Sequence, residues 1–167
     1  MPAVKAPMLT IAVCGALALA GCGDDDSTTE TTGSADTTAQ QSAEDTSTKP
    51  TIEVPTEAPP AKLVEKDLVE GSGAAAKAGD EVTMQYVGVG YESGEEFDAS
   101  WGGKPFPFQL GSGAVIPGWE QGIEGMKPGG RRELIIPPDL AYGPEGRPPA
   151  IGPNETLIFV VDLLAIE

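Results

Sequence analysis

The sequence predicts an α+β fold in which an antiparallel β-sheet of about five strands curls around one short α-helix. Apolar residues alternate with polar ones in several segments after position 80, and only one segment has helical spacing. The 167 residues include 22 Gly and 16 Pro but only 5% aromatic residues, and this turn-rich composition disfavours a helical bundle. A parallel sheet would need further helices as crossover connections, and the sequence does not supply them.

Four segments have the period of two that is typical of half-buried strands. Gly and Pro residues between these segments indicate turns. The alternating positions are Val82, Met84 and Tyr86; Phe106, Phe108 and Leu110; those within 132–136; and Leu157, Phe159, Val161 and Leu163.

The predicted helix covers 117–126. Pro117 suits a first helical turn, and Trp119, Ile123 and Met126 follow one another at spacings of four and three. The Lys-Pro-Gly-Gly run at 127–130 ends the helix. One such helix covers one face of the sheet, which is why we expect an α+β arrangement.

Residues 1–21 are interpreted as a lipoprotein signal peptide. Lys5 precedes an apolar run at 8–20 that is too short to span a bilayer permanently. The run ends in Leu-Ala-Gly-Cys at 19–22, which resembles the lipobox of bacterial lipoproteins. That resemblance implies cleavage before Cys22, acylation of its sulfur with a fatty acid such as palmitate, and an extracytoplasmic domain anchored to the cell membrane. The alternative is an ordinary secretory peptide that happens to end near a cysteine. Cys14 leaves with the signal, so no disulfide is expected.

Residues 22–60 are predicted to form a disordered acidic tether. They are rich in Thr, Ser, Asp, Glu and Pro and contain almost no large apolar residue, so they cannot bury enough surface to offset their conformational entropy. The Asp run at 24–26 either binds a metal ion or is a solvated spacer, and we favour the spacer because nothing rigid holds its carboxylates. The folded domain is expected over 61–167.

The charge and the missing residue types exclude several functions. With 26 acidic against 10 basic residues the net charge is −16, so no nucleic acid is expected as a partner. The absence of histidine excludes Ser-His and Cys-His catalysis and imidazole metal sites. There is no phosphate-binding loop, dinucleotide fingerprint or nucleophile elbow, so neither cofactor nor metal is expected.

Six short motifs in the domain nevertheless resemble one known family, the FKBP peptidyl-prolyl cis-trans isomerases. They are Tyr-Val-Gly at 86–88, Phe-Asp at 97–98, Lys-Pro-Phe at 104–106 followed by Phe108 and Leu-Gly at 110–111, Val-Ile-Pro-Gly-Trp-Glu at 115–120, Ala-Tyr-Gly at 141–143, and Leu-Ile-Phe at 157–159. The resemblance extends over about 62–167 and implies a curved antiparallel sheet wrapped around the helix, with an apolar cleft between them.

The resemblance also implies roles for individual residues. Trp119 is expected to form the floor of the cleft. The Tyr142 hydroxyl and the Ile116 backbone N–H would donate hydrogen bonds to a ligand. The walls would be Tyr86, Phe106, Val115, Ile116 and Phe159, the rims Phe97, Asp98 and Tyr142, and the overlying loop would contribute Ile151. Asp98, Tyr142 and Phe159 are the candidate catalytic residues, and the other residues would bind substrate.

Two residues, Asp98 of the proposed site and Arg147 of the loop over it, have open alternatives. Asp98 either orients Tyr142 or acts on the imide carbonyl, or else it is a structural acid satisfied by neighbouring donors. Arg147, in the loop over the cleft, departs from the family pattern together with Pro148 and Pro149. It either attracts acidic peptides or is a solvated loop charge. The loop at 99–103, Ala114 and the Gly-Pro pair at 152–153 also depart from that pattern, which affects substrate preference.

We therefore expect a monomeric, membrane-anchored peptidyl-prolyl isomerase that assists the folding of exported proteins by binding their X-Pro segments. The resemblance adds macrolides as ligands. A second hypothesis is a chaperone or adaptor that binds proline-containing segments in the same cleft without catalysis, and a third is a structural lipoprotein. The aromatic residues of the six motifs argue against a structural lipoprotein. Only a measured isomerisation rate distinguishes the isomerase from the non-catalytic chaperone or adaptor.

Overall fold

The structure, a computed structural model, describes residues 46–167. The predicted signal peptide, the lipidation site Cys22 and the first part of the predicted tether lie outside the described residues. Within 46–167, no helix combines the length and the hydropathy that crossing a bilayer requires.

The described chain forms six strands and two short helical segments. The strands are β1 (Val64–Val69), β2 (Glu81–Gly90), β3 (Glu96–Ala99), β4 (Phe106–Gln109), β5 (Arg131–Ile136) and β6 (Leu157–Ile166). The α-helix, α1, covers Pro117–Ile123, and a single 3-10 turn covers Pro138–Leu140. This α+β architecture, a sheet of six strands with one short α-helix, confirms the predicted fold class.

All strand pairs in the sheet are antiparallel, in the order β1-β5-β6-β2-β3, with β4 also paired to β2. The outer edge of β2 is shared between two partners. Its first half pairs with β4, where Val82 lies opposite Phe108, and its second half pairs with β3, where Gly88 lies opposite Asp98. The edge therefore has a break near Tyr86, and the candidate site lies at this break.

Two strands and the helix end were not predicted correctly. β1 is exposed over most of its length and has no apolar alternation. β3 alternates, but it has only two apolar positions, Phe97 and Ala99, which are too few to predict a strand. The helix ends at Ile123 rather than at position 126, because Gly125 adopts a φ of 83° and turns the chain out of the helix.

The two faces of the sheet have separate apolar clusters. One face packs against α1 and contains Val82, Met84, Leu134, Val161 and other buried residues, together with Trp119 from the helix. The opposite face carries a smaller cluster of Val87, Val89, Tyr91, Ile135 and Ile158. Strands β2, β5 and β6 contribute to both clusters, so they are covered on both faces.

Residues 46–60, which we call the strap, lie on the opposite face of the sheet. Ile52 and Val54 pack against its cluster, and Pro50 is buried. The Lys49 Nζ and a Glu96 carboxylate oxygen are 2.8 Å apart, and the Tyr91 hydroxyl donates to the Glu57 carbonyl at 3.4 Å. The strap has no regular secondary structure, yet it contacts the domain, so the expectation of a free tether up to position 60 is corrected for this part.

Removing the apolar contacts of the strap should destabilise the domain. Ile52 and Val54 are half-buried while Thr51 and Glu53, which alternate with them, are exposed. We expect the Ile52→Ala, Val54→Ala double variant to lose about 1 to 2 kcal/mol of unfolding free energy, since half-buried methyl groups are returned to water. The matched Thr51→Ala, Glu53→Ala variant should stay within about 0.5 kcal/mol of the parent. Urea unfolding measures both, and equal stabilities of the two variants would contradict the contact.

Candidate active site

A cavity of about 430 Å³ opens between α1 and the sheet. Nine of the ten residues that the sequence proposes for catalysis or substrate binding line it. They are Tyr86, Phe97, Asp98, Phe106, Val115, Ile116, Trp119, Tyr142 and Phe159. We call this cavity the cleft, and its volume falls in the range of small-ligand pockets.

The break in the edge of β2 holds Tyr86 at the wall of the cleft. Next to the break, the Ser100 hydroxyl accepts a hydrogen bond from the Tyr86 backbone N–H at 2.9 Å, and the Ser100 N–H donates to the Tyr86 carbonyl at 3.0 Å. These two bonds replace the strand pairing that is missing there. They fix the backbone of Tyr86, and with it the direction from which its ring enters the cleft.

Gly88 is required because two aromatic rings pack directly on it. A Cβ atom at this position would lie 2.7 Å from both Phe159 Cε1 and Phe97 Cζ. No such contact is tolerated in a packed interior, so a larger residue here would displace both rings. The absence of a side chain at Gly88 lets β3 and β6 bring Phe97 and Phe159 together across β2.

The aromatic rings of the cleft pack edge to face. Trp119 is the centre of this packing. The centroid of its ring lies 5.1 Å from that of Tyr86 and 5.3 Å from that of Phe159, at interplanar angles of 79° and 84°. Phe97 adds a further edge contact to Phe159 at 5.4 Å. Each such pair contributes about 0.5 to 1.5 kcal/mol beyond area burial, so the set forms a rigid apolar surface.

The start of α1 places Trp119 and Ile116 at the base of the cleft. Pro117 begins the helix, and the Trp119 N–H donates to the Ile116 carbonyl at 2.9 Å. The Glu120 carboxylate accepts from the Gly113 N–H at 2.8 Å and from the Gly111 N–H, which ties the preceding loop to the helix. Within the described residues the Ile116 N–H has no acceptor, so it is free to donate to a ligand.

Asp98 is bound by Tyr86 rather than by Tyr142. The Tyr86 hydroxyl donates to the Asp98 carboxylate at 2.9 Å, so of the alternatives for Asp98 this bond matches an acid satisfied by a neighbouring donor, and within 46–167 no hydrogen bond joins Asp98 to Tyr142. Burial raises the pKa of the Tyr86 phenol from 10.0 to about 12, and the hydrogen bond to Asp98 acts in the same direction. The phenol therefore remains a hydrogen-bond donor to strongly alkaline pH. Within 46–167 the Tyr142 hydroxyl forms no hydrogen bond.

Ile151 is the proposed site residue that does not line the cleft. It is buried, and it lines a second cavity of about 300 Å³ beside the first. The cleft also includes Ala114 and Arg147, which sequence inspection identified only as departures from the family pattern. The position of Arg147 in the loop over the cleft could have identified it as a lining residue. For Ala114 the available signal was that it directly precedes Val115. In the described part of the chain, no three potential metal ligands of the His, Cys, Asp or Glu types lie together.

The family model and the curated relatives that this chain matches name the same family. Over residues 72–164 the chain matches the family described as FKBP-type peptidyl-prolyl cis-trans isomerase. An FK506-binding protein of Streptomyces anulatus is 58% identical over 120 residues, which cover 71% of this chain and 97% of that relative. A probable FK506-binding protein of Corynebacterium glutamicum is 49% identical over 118 residues, which cover 70% of this chain and 98% of that relative.

A solved structure, that of FkpA from Escherichia coli, has a similar fold. It aligns with a TM-score of 0.57 and 43% sequence identity over 63% of this chain. The alignment covers 48% of the FkpA chain, so the likeness extends to about half of that protein.

Proposed function

Because this chain belongs to the FKBP-type peptidyl-prolyl cis-trans isomerase family, we propose that its aromatic cleft isomerises X-Pro bonds of exported proteins while a lipid on Cys22 anchors it to the membrane. We assign the reaction to the cleft because nine of the proposed site residues line this one cavity. The lipobox-like end of the apolar run supports the anchor.

The reaction needs no nucleophile or proton transfer. The barrier to rotation about a peptide bond is about 18 to 20 kcal/mol, because the C–N bond has partial double-bond character. This character is lost when the bond twists, and the twisted imide is less polar than the planar one. An apolar site that excludes water therefore favours the twisted state over the ground state. A ten-thousandfold acceleration requires only about 5.5 kcal/mol of such preference.

The arrangement assigns distinct tasks to the rings and to the polar groups. The Trp119 ring, which is only 4% exposed, would form the floor beneath a prolyl ring, with Tyr86 and Phe159 packed against it. The Ile116 N–H and the Tyr142 hydroxyl, both without acceptors within the described chain, would donate to carbonyl groups of the bound segment. These donors fix the orientation of the substrate while the apolar walls remove water.

Asp98 is expected to act through its position at the rim, where it binds the Tyr86 hydroxyl at 2.9 Å. Asp98→Ala should lower kcat/KM at least severalfold, and it should lower the Tyr86 pKa from about 12 towards 10.0, as measured by ultraviolet titration. Glu96→Ala is the matched control, because Glu96 lies on the same strand but pairs with Lys49 of the strap. Unchanged turnover in Asp98→Ala with a lowered Tyr86 pKa would leave Asp98 a purely structural role.

The ligands of the cleft follow from the same proposal. Relatives of this chain are named FK506-binding proteins, so we extend macrolide binding in the cleft to this chain. Its physiological partners would be X-Pro segments of exported proteins. Proline isomerisation takes about 10 to 100 s at 25 °C, which is slow enough to be the rate-limiting step of folding. We propose that the protein acts as a monomer.

Fractionation of cells and a refolding assay test the cellular role. The full chain is expected in the membrane fraction and labelled by palmitate, whereas Cys22→Ala should not be labelled. Purified chain should accelerate the proline-limited refolding phase of an exported protein. Equal palmitate labelling of the parent and Cys22→Ala would refute the anchor, and an unchanged refolding phase would refute the folding role.

A further inference from the structure

The second cavity adjoins the cleft through a shared wall. Its volume is about 300 Å³, and it shares Phe97, Asp98, Tyr142 and Arg147 with the cleft. Its other wall is the turn at 148–151. In a peptide whose prolyl ring occupies the cleft, a residue next to the proline can extend to this wall, because the two cavities share it. The second cavity is therefore in reach of a side chain next to the proline.

Arg147 is the basic residue that lines both cavities. Its backbone is fixed by paired hydrogen bonds with Ile151, with N–H to carbonyl distances of 2.9 and 3.0 Å. Its guanidinium carbon lies 6.0 Å from the centroid of the Tyr142 ring, a candidate ligand-binding side chain. Within 46–167 this guanidinium forms no hydrogen bond or ion pair, so its N–H donors are available to a carboxylate.

The other charged group of the shared wall already has a partner. Asp98 accepts a hydrogen bond from the Tyr86 hydroxyl at 2.9 Å, whereas the Arg147 guanidinium, which lies beside the Tyr142 ring, has no acceptor within 46–167. The positive charge of Arg147 also extends into the cleft, because it lowers the pKa of Tyr86 against the larger upward effects of burial and Asp98. The hydrogen bond from the neutral Tyr86 phenol leaves the negative charge of Asp98 in place, so a carboxylate in the second cavity would be attracted by Arg147 and repelled by Asp98. The guanidinium, which has no acceptor within 46–167, supplies the paired N–H donors that a carboxylate binds, and this pairing favours the carboxylate.

We propose that Arg147 makes the second cavity a subsite for an acidic side chain flanking the proline of the substrate. The inference rests on the proposed function of the cleft and deepens it by naming a substrate preference. Because Arg147 is exposed, its attraction is screened by water and salt. The expected preference for glutamate over glutamine is therefore about two- to fivefold in kcat/KM.

The test compares matched peptides by NMR exchange with the full chain. One series varies the residue before proline and another the residue after it, with Glu, Gln or Lys at the varied position. We expect the Glu peptide to be favoured about two- to fivefold over Gln in one series, with the ratio declining towards one at high salt. In Arg147→Gln the ratio should fall to about one. Lys104→Gln is the matched control, since it removes a positive charge at a residue that lines neither cavity, and its ratio should stay at the parental value.

The outcomes separate the subsite from the proposed function. A Glu to Gln ratio of one in both series, a preference for Lys, or a ratio retained in Arg147→Gln would each overturn the subsite. If the chain accelerates no peptide at all, the proposed function fails instead. In that case NMR titration of the same peptides still decides the subsite, because tighter binding of Glu than Gln that is lost in Arg147→Gln supports it and equal binding overturns it.

Discussion

Replacing Trp119 by alanine is expected to lower the free energy of unfolding by about 3 to 5 kcal/mol, because it removes a buried indole. Trp119 is 4% exposed and contacts Tyr86, Phe106, Phe108 and Phe159. The same change removes the floor of the cleft, so catalysis should also be lost. Urea unfolding measures the first effect and prolyl-peptide exchange the second.

A milder substitution separates the two effects. Trp119→Leu keeps an apolar side chain and should fold, yet we expect it to lower kcat/KM about tenfold or more, equivalent to about 1.4 kcal/mol. Phe108→Leu is the control, since the Phe108 ring lies 6.0 Å from Trp119 but does not line the cleft. It should lose stability and retain its kcat/KM within about twofold. Parental activity in folded Trp119→Leu would show that the indole is only a core residue.

Replacing Asp162 by alanine should produce a loss of stability of similar size, about 3 to 5 kcal/mol, through a different cause. The Asp162 carboxylate accepts from Arg131 Nε at 2.6 Å and from Nη2 at 2.7 Å, and both side chains are 2% exposed. The variant leaves a guanidinium buried without that carboxylate. Arg131 also donates to the Thr48 carbonyl at 2.8 Å, so the strap should loosen with the pair.

A double variant and an exposed pair provide the controls. Arg131→Met combined with Asp162→Val removes both charges and should recover most of the loss, because apolar residues of comparable volume replace a buried ion pair without a large penalty. Glu70→Ala breaks the exposed pair with Lys127 and should change stability by no more than about 0.5 kcal/mol. A loss in Asp162→Ala as small as that of Glu70→Ala would contradict the account of the pair.

The strands that were predicted each contain at least one buried residue, whereas β1 and β3, which were missed, contain none. The alternation through Val82 and Met84 arises because these side chains face the core, so the sequence pattern there matches the strand in the structure. Glu65 and Lys66 of β1 belong to an edge strand that is largely exposed, and no apolar pattern is required of them. Edge strands of this kind are held by backbone pairing, which side-chain periodicity does not reveal.

The strap was missed because its contacts depend on the finished sheet. Ile52 and Val54 are isolated apolar residues in a polar run, and their composition resembles that of a disordered segment. They pack against residues from β2, β5 and β6, which come together only after folding. No local pattern could therefore distinguish the strap from the tether before it.

The fold brings nine of the ten residues proposed for the site around one cavity, but the contacts between them were not predicted. Motifs shared with a family identify side chains such as Tyr86 and Trp119 without specifying their partners. The partner of Asp98 is Tyr86 rather than Tyr142, because β3 lies directly against β2 and brings the two side chains together. Pairing across strands decides this bond, and sequence alone did not predict the register.

Isomerisation of an X-Pro tetrapeptide by the full chain, measured by NMR exchange, tests the central claim most directly. We expect marked acceleration by the parent, with strong loss in Phe159→Ala and partial loss in Tyr142→Phe, because these residues supply an apolar wall and a donor of the cleft. A folded parent that leaves the exchange rate unchanged would contradict the account, as would a folded Phe159→Ala variant with parental activity.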